Sequence, residues 1–206
     1  RFFEKKVSKL GICNNDKLIV YCKEGILSSP RVWWTFIYFG HKNVYILNGG
    51  LKAWKKIGGE LRTGFYKPKT SNYKCKKINK KFLINYKSLD KLVKQNNKNY
   101  LVIDARPEKR YFKKENEPRK NIGRGRINNS KNLPATQLES KGFFKNKSEI
   151  RNIFRSKSTK NKHFIFTCGS GVAACNLGIA SHLIGSKNWS IYDGSWTEWF
   201  LKKNKL

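Results

Sequence analysis

Short apolar runs, largely without polar residues, recur along the chain. Two of them, at residues 18–22 and 164–168, end at a cysteine, and a third fills residues 100–104. A run without polar alternation is typical of a parallel strand that is buried on both faces. The pattern therefore predicts three such strands and an α/β fold.

Segments with helical spacing follow the two runs that end at a cysteine. The first is predicted to extend from Pro30 to about Phe39, because proline is tolerated in the opening turn of a helix and Gly40 can end it. The second is predicted over residues 172–183, with Gly185 after it. Each of the two runs therefore begins a unit that is predicted to contain, in this order, a strand, a loop, a helix, a second strand and a second helix.

The two units form an internal repeat. Residues 43–54 read NVYILNGGLKAW and residues 188–199 read NWSIYDGSWTEW; aligned without gaps, they share an Asn, an Ile, a Gly and a Trp. Between the units, residues 67–81 are rich in Lys and Asn and show no periodicity, which predicts a linker. We therefore expect one domain in residues 1–66 and a second in residues 82–206.

The chain is strongly basic. Its 206 residues include 45 Lys and Arg against 13 Asp and Glu, which gives a formal net charge of +32. Only ten of the basic residues are Arg, and the lysines are spread through a chain that is rich in Asn, Ile, Tyr and Phe. Because tight nucleic-acid binders favour Arg and concentrate their charge, we attribute the excess to a bias toward residues of AT-rich codons. Nucleic-acid binding is the alternative.

No segment indicates a membrane or a secreted protein. The sequence has no run near the roughly eighteen apolar residues that span a bilayer, and no signal segment at its start. Its five cysteines include no CxxC pair, which argues against a disulfide framework or a zinc cluster and favours a reducing, cytoplasmic compartment. Because the chain begins at Arg1 and contains no Met, we expect its original beginning, with any targeting segment, to be missing.

The sharpest local signal is the segment CGSGVA, which follows the predicted strand at 164–167. Small residues after Cys168 let successive backbone N–H groups turn inward around its sulfur, and the following helix adds the positive end of its dipole. These groups favour the thiolate, which is the nucleophilic form of cysteine. We therefore predict Cys168 as the nucleophile. The loop around its sulfur is formed by Gly169, Ser170, Gly171, Val172 and Ala173.

Cys22 occupies the equivalent position in the first unit. It is followed by Lys-Glu-Gly-Ile-Leu, which places an acid and bulky apolar groups where inward-facing N–H groups are needed. Pro30 removes a further donor. We therefore predict that Cys22 has no role in catalysis, and that Cys13, Cys75 and Cys175 are ordinary buried or linker residues.

Several short motifs, distributed over nearly the whole chain, form a specific combination. They are PRVWW at 30–34, FGH at 39–41, LNGG at 47–50, DARP at 104–107, EPR at 117–119, NLP at 132–134, CGSGV at 168–172 and YDGSWTEW at 192–199. In this combination the chain resembles the tandem-domain rhodanese family. The resemblance implies two rhodanese-like domains, each a mostly parallel sheet flanked by helices. Residues 1–66 would form a partial non-catalytic domain without its opening strands, and residues 82–206 the catalytic domain.

The resemblance also implies sulfur transfer without a metal or an organic cofactor. Thiosulfate-using members place Arg-Lys after the nucleophile, whereas mercaptopyruvate-using members place Gly-Ser, as at Gly169 and Ser170. The implied reaction moves sulfur from 3-mercaptopyruvate through a persulfide of Cys168 to a thiol, such as that of a thioredoxin-like protein, or to cyanide. Arg110 and Arg119 match the positions that bind the carboxylate and the ketone of the donor.

Three alternatives stay open at this point. The sulfur donor could be thiosulfate. The protein could instead be a degraded rhodanese that binds polyanions and is not an enzyme. A cysteine phosphatase is disfavoured, because that class needs Arg where this chain has Ala174. The family usually has Thr in place of Ala173, so one hydroxyl near the sulfur is missing. It also has a His and an Asp, in the absent opening strands, that are proposed to work with Ser170.

Overall fold

The first half of the molecule is a small two-layer unit. The computed structural model describes residues 2–157 and 162–204. The elements of the first half are α1 (Phe2–Lys9), β1 (Leu18–Val20), α2 (Ser29–Tyr38), β2 (Val44–Ile46) and α3 (Gly50–Lys56). Strands β1 and β2 pair in parallel, with Leu18 opposite Val44. The predicted order of strand, loop, helix, strand and helix is therefore present.

The second half is built on a five-stranded sheet in which every pairing is parallel. Its strands are β3 (Leu83–Ile84), β4 (Tyr100–Asp104), β5 (Lys131–Asn132), β8 (His163–Thr167) and β9 (Trp189–Tyr192), in the spatial order β3-β9-β8-β4-β5. An antiparallel pair, β6 (Glu139–Ser140) and β7 (Phe143–Phe144), lies apart from this sheet. The helices are α4 (Tyr86–Lys94), α5 (Glu108–Tyr111), α6 (Lys147–Lys157), α7 (Ala174–Leu183) and α8 (Ser195–Lys203). The predicted α/β class and the predicted strand at 100–104 are both confirmed.

Two predicted boundaries are wrong by two residues. The strand at 18–22 ends at Val20, so Cys22 lies beyond it in the loop. The helix predicted from residue 172 begins at Ala174, because the N–H groups of Cys175 and Asn176 bond to carbonyls three residues earlier, those of Val172 and Ala173, in a tighter opening turn. The predicted stop at Gly185 is confirmed, with φ at +83°, a conformation that favours glycine.

The two halves share one apolar core. The ring of Trp33 on α2 lies 6.4 Å from that of Trp189 on β9, and Trp34 donates from its indole N–H to the carbonyl of Phe82 at 3.1 Å. The predicted linker also contributes, since Tyr73 is buried and its N–H donates to the hydroxyl of Ser8 at 3.0 Å. The boundaries 1–66, 67–81 and 82–206 stay predictions.

Within residues 2–157 and 162–204, no helix is long and apolar enough to cross a membrane.

Candidate active site

Cys168 is the first residue after β8, at the carboxyl edge of the parallel sheet, and its side chain is buried. The backbone N–H groups of Ser170 and Gly171 donate to its Sγ at 3.4 and 3.1 Å. Gly171 has φ at +81°, a left-handed conformation that lets the chain turn around the sulfur and that favours glycine. Ser170 and Gly171 thus direct N–H groups at the sulfur, whereas a role in substrate binding for residues 169–173 stays a prediction.

The start of α8 fixes this loop from behind. The hydroxyl of Ser195 accepts from the N–H of Cys168 at 3.1 Å and lies 3.9 Å from its Sγ. The N–H of Trp196 donates to the carbonyl of Cys168 at 2.9 Å, and Thr197 donates from its hydroxyl to the carbonyl of Gly169 at 2.7 Å. The motif YDGSWTEW contains these three residues, but the sequence alone does not predict their contacts with the loop.

Arg110 and Arg119 lie over the same loop. Arg119 donates from Nη2 to the hydroxyl of Ser170 at 2.6 Å. A methyl group added at Gly169 would lie 2.8 Å from Nη2 of Arg110 and 3.4 Å from Nη1 of Arg119. The structure therefore brings both predicted substrate arginines to the loop that follows Cys168.

A buried charge network orients Arg110, and sequence reasoning did not assign it. Glu117 forms an ion pair with Arg110 and, through Oε1, a second one with Nη1 of Arg106 at 2.5 Å. Arg106 also pairs with Asp104 at 2.6 Å and donates to the carbonyl of Gly125 at 2.9 Å. Because each buried charge has a partner of opposite sign, the network holds Arg110 without an uncompensated charge.

The structure corrects the argument about Cys22. Its Sγ accepts from the backbone N–H groups of Ser28 and Ser29 at 3.3 and 3.1 Å, and the Ser29 hydroxyl lies 2.8 Å away. Burial opposes ionisation, but these hydrogen bonds outweigh it and lower the pKa of the Cys22 thiol. The expected absence of donors is wrong, because they come from residues six and seven positions later, just before Pro30. The lack of a catalytic role stays a prediction.

The other cysteines differ in exposure. Cys175 is fully buried on α7, donates to the carbonyl of Gly171 at 3.1 Å, and has a raised pKa because of that burial. Cys75 is half-buried in the predicted linker. Cys13 is exposed, contrary to expectation, because it lies in the turn between α1 and β1, where its N–H bonds to Asp16.

Comparison with known proteins gives the family. The profile of the Rhodanese-like domain matches residues 1–57 and 86–202, which is most of the chain and includes the loop after Cys168. The chain belongs to the rhodanese family. The two matched ranges correspond to the two units of the internal repeat.

Relatives of this rhodanese include two kinds of sulfurtransferase. It is 33% identical to human 3-mercaptopyruvate sulfurtransferase, over 97% of this chain and 68% of that protein, and 36% identical to bovine thiosulfate sulfurtransferase, over 96% and 67%. Among solved structures, it matches Tum1 of Saccharomyces cerevisiae with a TM-score of 0.88 at 30% identity, over 97% of this chain and 71% of that one. It matches the 3-mercaptopyruvate sulfurtransferase SseA of Escherichia coli with a TM-score of 0.82 at 30% identity, over 95% of this chain and 72% of that one. Overall identity therefore does not choose between the two donors.

Proposed function

We propose that this rhodanese, a sulfurtransferase, takes sulfur from 3-mercaptopyruvate through a persulfide on Cys168. The observation that carries the proposal is the arrangement of one nucleophile, its N–H donors and two arginines around a single loop. The N–H donors face the sulfur of Cys168, and Arg110 and Arg119 lie beside the residues that follow it, where they can bind a small anionic donor.

The proposed reaction is balanced in atoms and electrons. The thiolate of Cys168 attacks the thiol sulfur of 3-mercaptopyruvate, so that a sulfur–sulfur bond forms and the carbon–sulfur bond breaks. The electron pair of the broken bond stays on carbon as the enolate of pyruvate, which takes a proton from solvent. The transferred sulfur keeps its own hydrogen, so Cys168 becomes a hydropersulfide. Arg110 and Arg119 would bind the carboxylate and the ketone, which positions the sulfur for attack.

The charge beside the loop supports a donor with one negative charge. Arg106, Arg110 and Arg119 carry three positive charges, whereas Asp104 and Glu117 carry two negative ones, so the group has a net charge of +1. Gly169 and Ser170 add no cation directly beside the sulfur, so the single carboxylate of 3-mercaptopyruvate is easier to compensate here than the two charges of thiosulfate.

The acceptor side of the proposal is a thiol or cyanide. A small thiol, a thioredoxin-like protein or cyanide can take the outer sulfur of the persulfide by nucleophilic attack. All five cysteines of the chain are free thiols, which supports a reducing compartment such as the cytoplasm.

The test is pyruvate release by the purified protein. With 3-mercaptopyruvate, kcat/KM should exceed the value for thiosulfate by at least about tenfold, which is about 1.4 kcal/mol of transition-state stabilisation. Equal use of both donors would contradict the proposed donor. No turnover of either donor, together with a nucleic-acid band shift at physiological salt, would favour the polyanion-binding alternative.

A further inference from the structure

Arg31 connects the first half of the molecule to the active-site loop of the second. It lies in the first turn of α2 and forms an ion pair with Asp193, which follows β9, 162 positions later in the chain. A second contact joins Nη2 of Arg31 to Oδ2 of Asp193 at 3.3 Å. The guanidinium also lies 4.9 Å from the ring of Trp34, which further restricts its position.

Both charged groups lie beside Gly171, in the space that a side chain at this position would need. A methyl group added there would lie 2.8 Å from the carbonyl oxygen of Asp193 and 2.9 Å from Nη1 of Arg31. The N–H of Gly171 donates to Sγ of Cys168, and its carbonyl accepts from Cys175. The ion pair therefore lies directly against the peptide group that faces the sulfur.

The carboxylate of Asp193 is an unfavourable neighbour for a thiolate. A negative charge beside the loop destabilises the negative form of Cys168, unless a cation neutralises it. Arg31 is the cation that pairs with Asp193 in the described part of the chain. The charged and titratable groups around the loop are Arg31 from α2, Arg110, Glu117 and Arg119 from the segment after β4, Cys175 from α7, Asp193 after β9, and Glu198 and Lys202 from α8.

We propose that Arg31 is a positioning residue for sulfur transfer, which neutralises and orients Asp193 so that the Gly171 N–H stays on the sulfur of Cys168. The role rests on the proposed function, because it requires Cys168 to be the nucleophile. It gives the half of the molecule without the nucleophile a direct part in the reaction.

The experiment measures how the alkylation rate of Cys168 by iodoacetamide depends on pH. Mass spectrometry separates the peptide that contains Cys168 from the one that contains Cys22, and fragmentation distinguishes Cys168 from Cys175. Arg31→Met should raise the midpoint of the Cys168 profile by about 0.5–1 pH unit, because the charge of Asp193 is then unopposed.

Two further variants separate the charge from the packing. Arg31→Lys keeps the charge and should leave the midpoint within about 0.3 pH unit of the wild type. Adding Asp193→Asn to Arg31→Met removes the opposing charge and should restore the midpoint. The matched control is Arg62→Met, which removes an exposed ion pair with Glu60 that is not among the charged groups named around the loop, and which should cause no shift.

An unchanged midpoint in Arg31→Met would overturn the proposal, and so would a raised midpoint that persists in the double variant. If Arg31→Met does not fold, the midpoint of the Cys168 profile in the single variant Asp193→Asn tests the proposal. Removal of the carboxylate leaves the Arg31 charge unopposed and should lower the midpoint, so a rise or no shift would contradict the role. Alkylation needs no sulfur donor, so this result stands apart from the test of pyruvate release.

Discussion

Arg119 donates a hydrogen bond to the hydroxyl of Ser170 at 2.6 Å, although the two residues are 51 positions apart in the chain. The contact joins a predicted substrate arginine to the loop that holds the nucleophile. Under the proposed function, a carboxylate bound by Arg119 would share this guanidinium with the hydroxyl of Ser170. Substrate binding and the conformation of the loop would then be coupled through one side chain.

The two arginines are expected to contribute to catalysis rather than to stability. Arg110→Ala and Arg119→Ala should each lower kcat/KM for 3-mercaptopyruvate by an amount on the order of 1.5–3 kcal/mol, about tenfold to a hundredfold. Lys in place of Arg110 should rescue only part of the loss, because a point charge cannot make two parallel hydrogen bonds.

The control for these variants is the exposed Arg155 on α6. Arg155→Ala should retain near full activity in the same steady-state assay. Thermal denaturation should show little change in Arg110→Ala, since Glu117 keeps its ion pair with Arg106. If Arg110→Ala and Arg119→Ala both behave like Arg155→Ala, the substrate site is placed wrongly.

The two equivalent cysteines should differ in activity. Cys168→Ser should abolish pyruvate formation, because a serine hydroxyl does not ionise near neutral pH and cannot carry a persulfide. Cys22→Ser should keep most of the activity, since the arginines Arg110 and Arg119 lie over the loop of Cys168. An inactive Cys22→Ser variant with normal thermal stability would reverse the assignment of the catalytic half.

Cys22 is nevertheless expected to react with alkylating reagents. Because hydrogen bonds from Ser28 and Ser29 lower its pKa, its thiolate fraction near neutral pH exceeds that of an ordinary cysteine. Ser29→Ala removes one hydroxyl donor and should raise the midpoint of the Cys22 alkylation profile. Cys175 should stay unmodified until the protein unfolds, because its pKa is raised by burial and its thiol donates to the carbonyl of Gly171. Alkylation of Cys22 that is unaffected by Ser29→Ala would show that the hydroxyl does not stabilise the thiolate.

The residues directly after Cys168 should determine the donor. Replacement of Gly169 and Ser170 by Arg and Lys should shift the ratio of kcat/KM values toward thiosulfate, because a dianion then meets two added cations. The guanidinium of Arg110 must move to admit a side chain at position 169, so activity with 3-mercaptopyruvate should fall at the same time. An unchanged ratio of the kcat/KM values for the two donors would show that residues 169 and 170 do not determine donor specificity.

The buried network around Arg106 should dominate local stability. Arg106→Ala leaves the buried Asp104 without its cation and Glu117 with Arg110 as its remaining partner, and it should lower the free energy of unfolding by about 3–5 kcal/mol, measured by urea denaturation. The control Arg62→Ala removes an exposed pair and should leave the free energy of unfolding unchanged. Equal effects of the two substitutions would show that the Arg106 network contributes nothing beyond a surface pair.

Local features of the fold were predictable from the sequence. Strand β4 coincides with its apolar run, because burial on both faces leaves a signal within five residues. The N–H groups that surround Cys168 come from the next three residues, so the small side chains of the loop were sufficient to predict them.

Contacts between distant segments were not predictable in this way. The donors to Cys22 depend on how the intervening five residues fold, and composition alone does not specify that path. The pairing of Arg31 with Asp193 depends on how α2 packs against the second half. Arg106 stands in the DARP motif at 104–107, but its burial and its ion pairs with Asp104 and Glu117 depend on the fold and are not visible in that motif.

The contact of Trp33 with Trp189 has a consequence for how the molecule unfolds. Because the interior of each half is completed by side chains from the other, neither half can lose its structure without exposing indole surface of its neighbour to water. The repeat in the sequence therefore does not divide the molecule into two independent cooperative units. We therefore expect the two similar halves to unfold in a single cooperative transition.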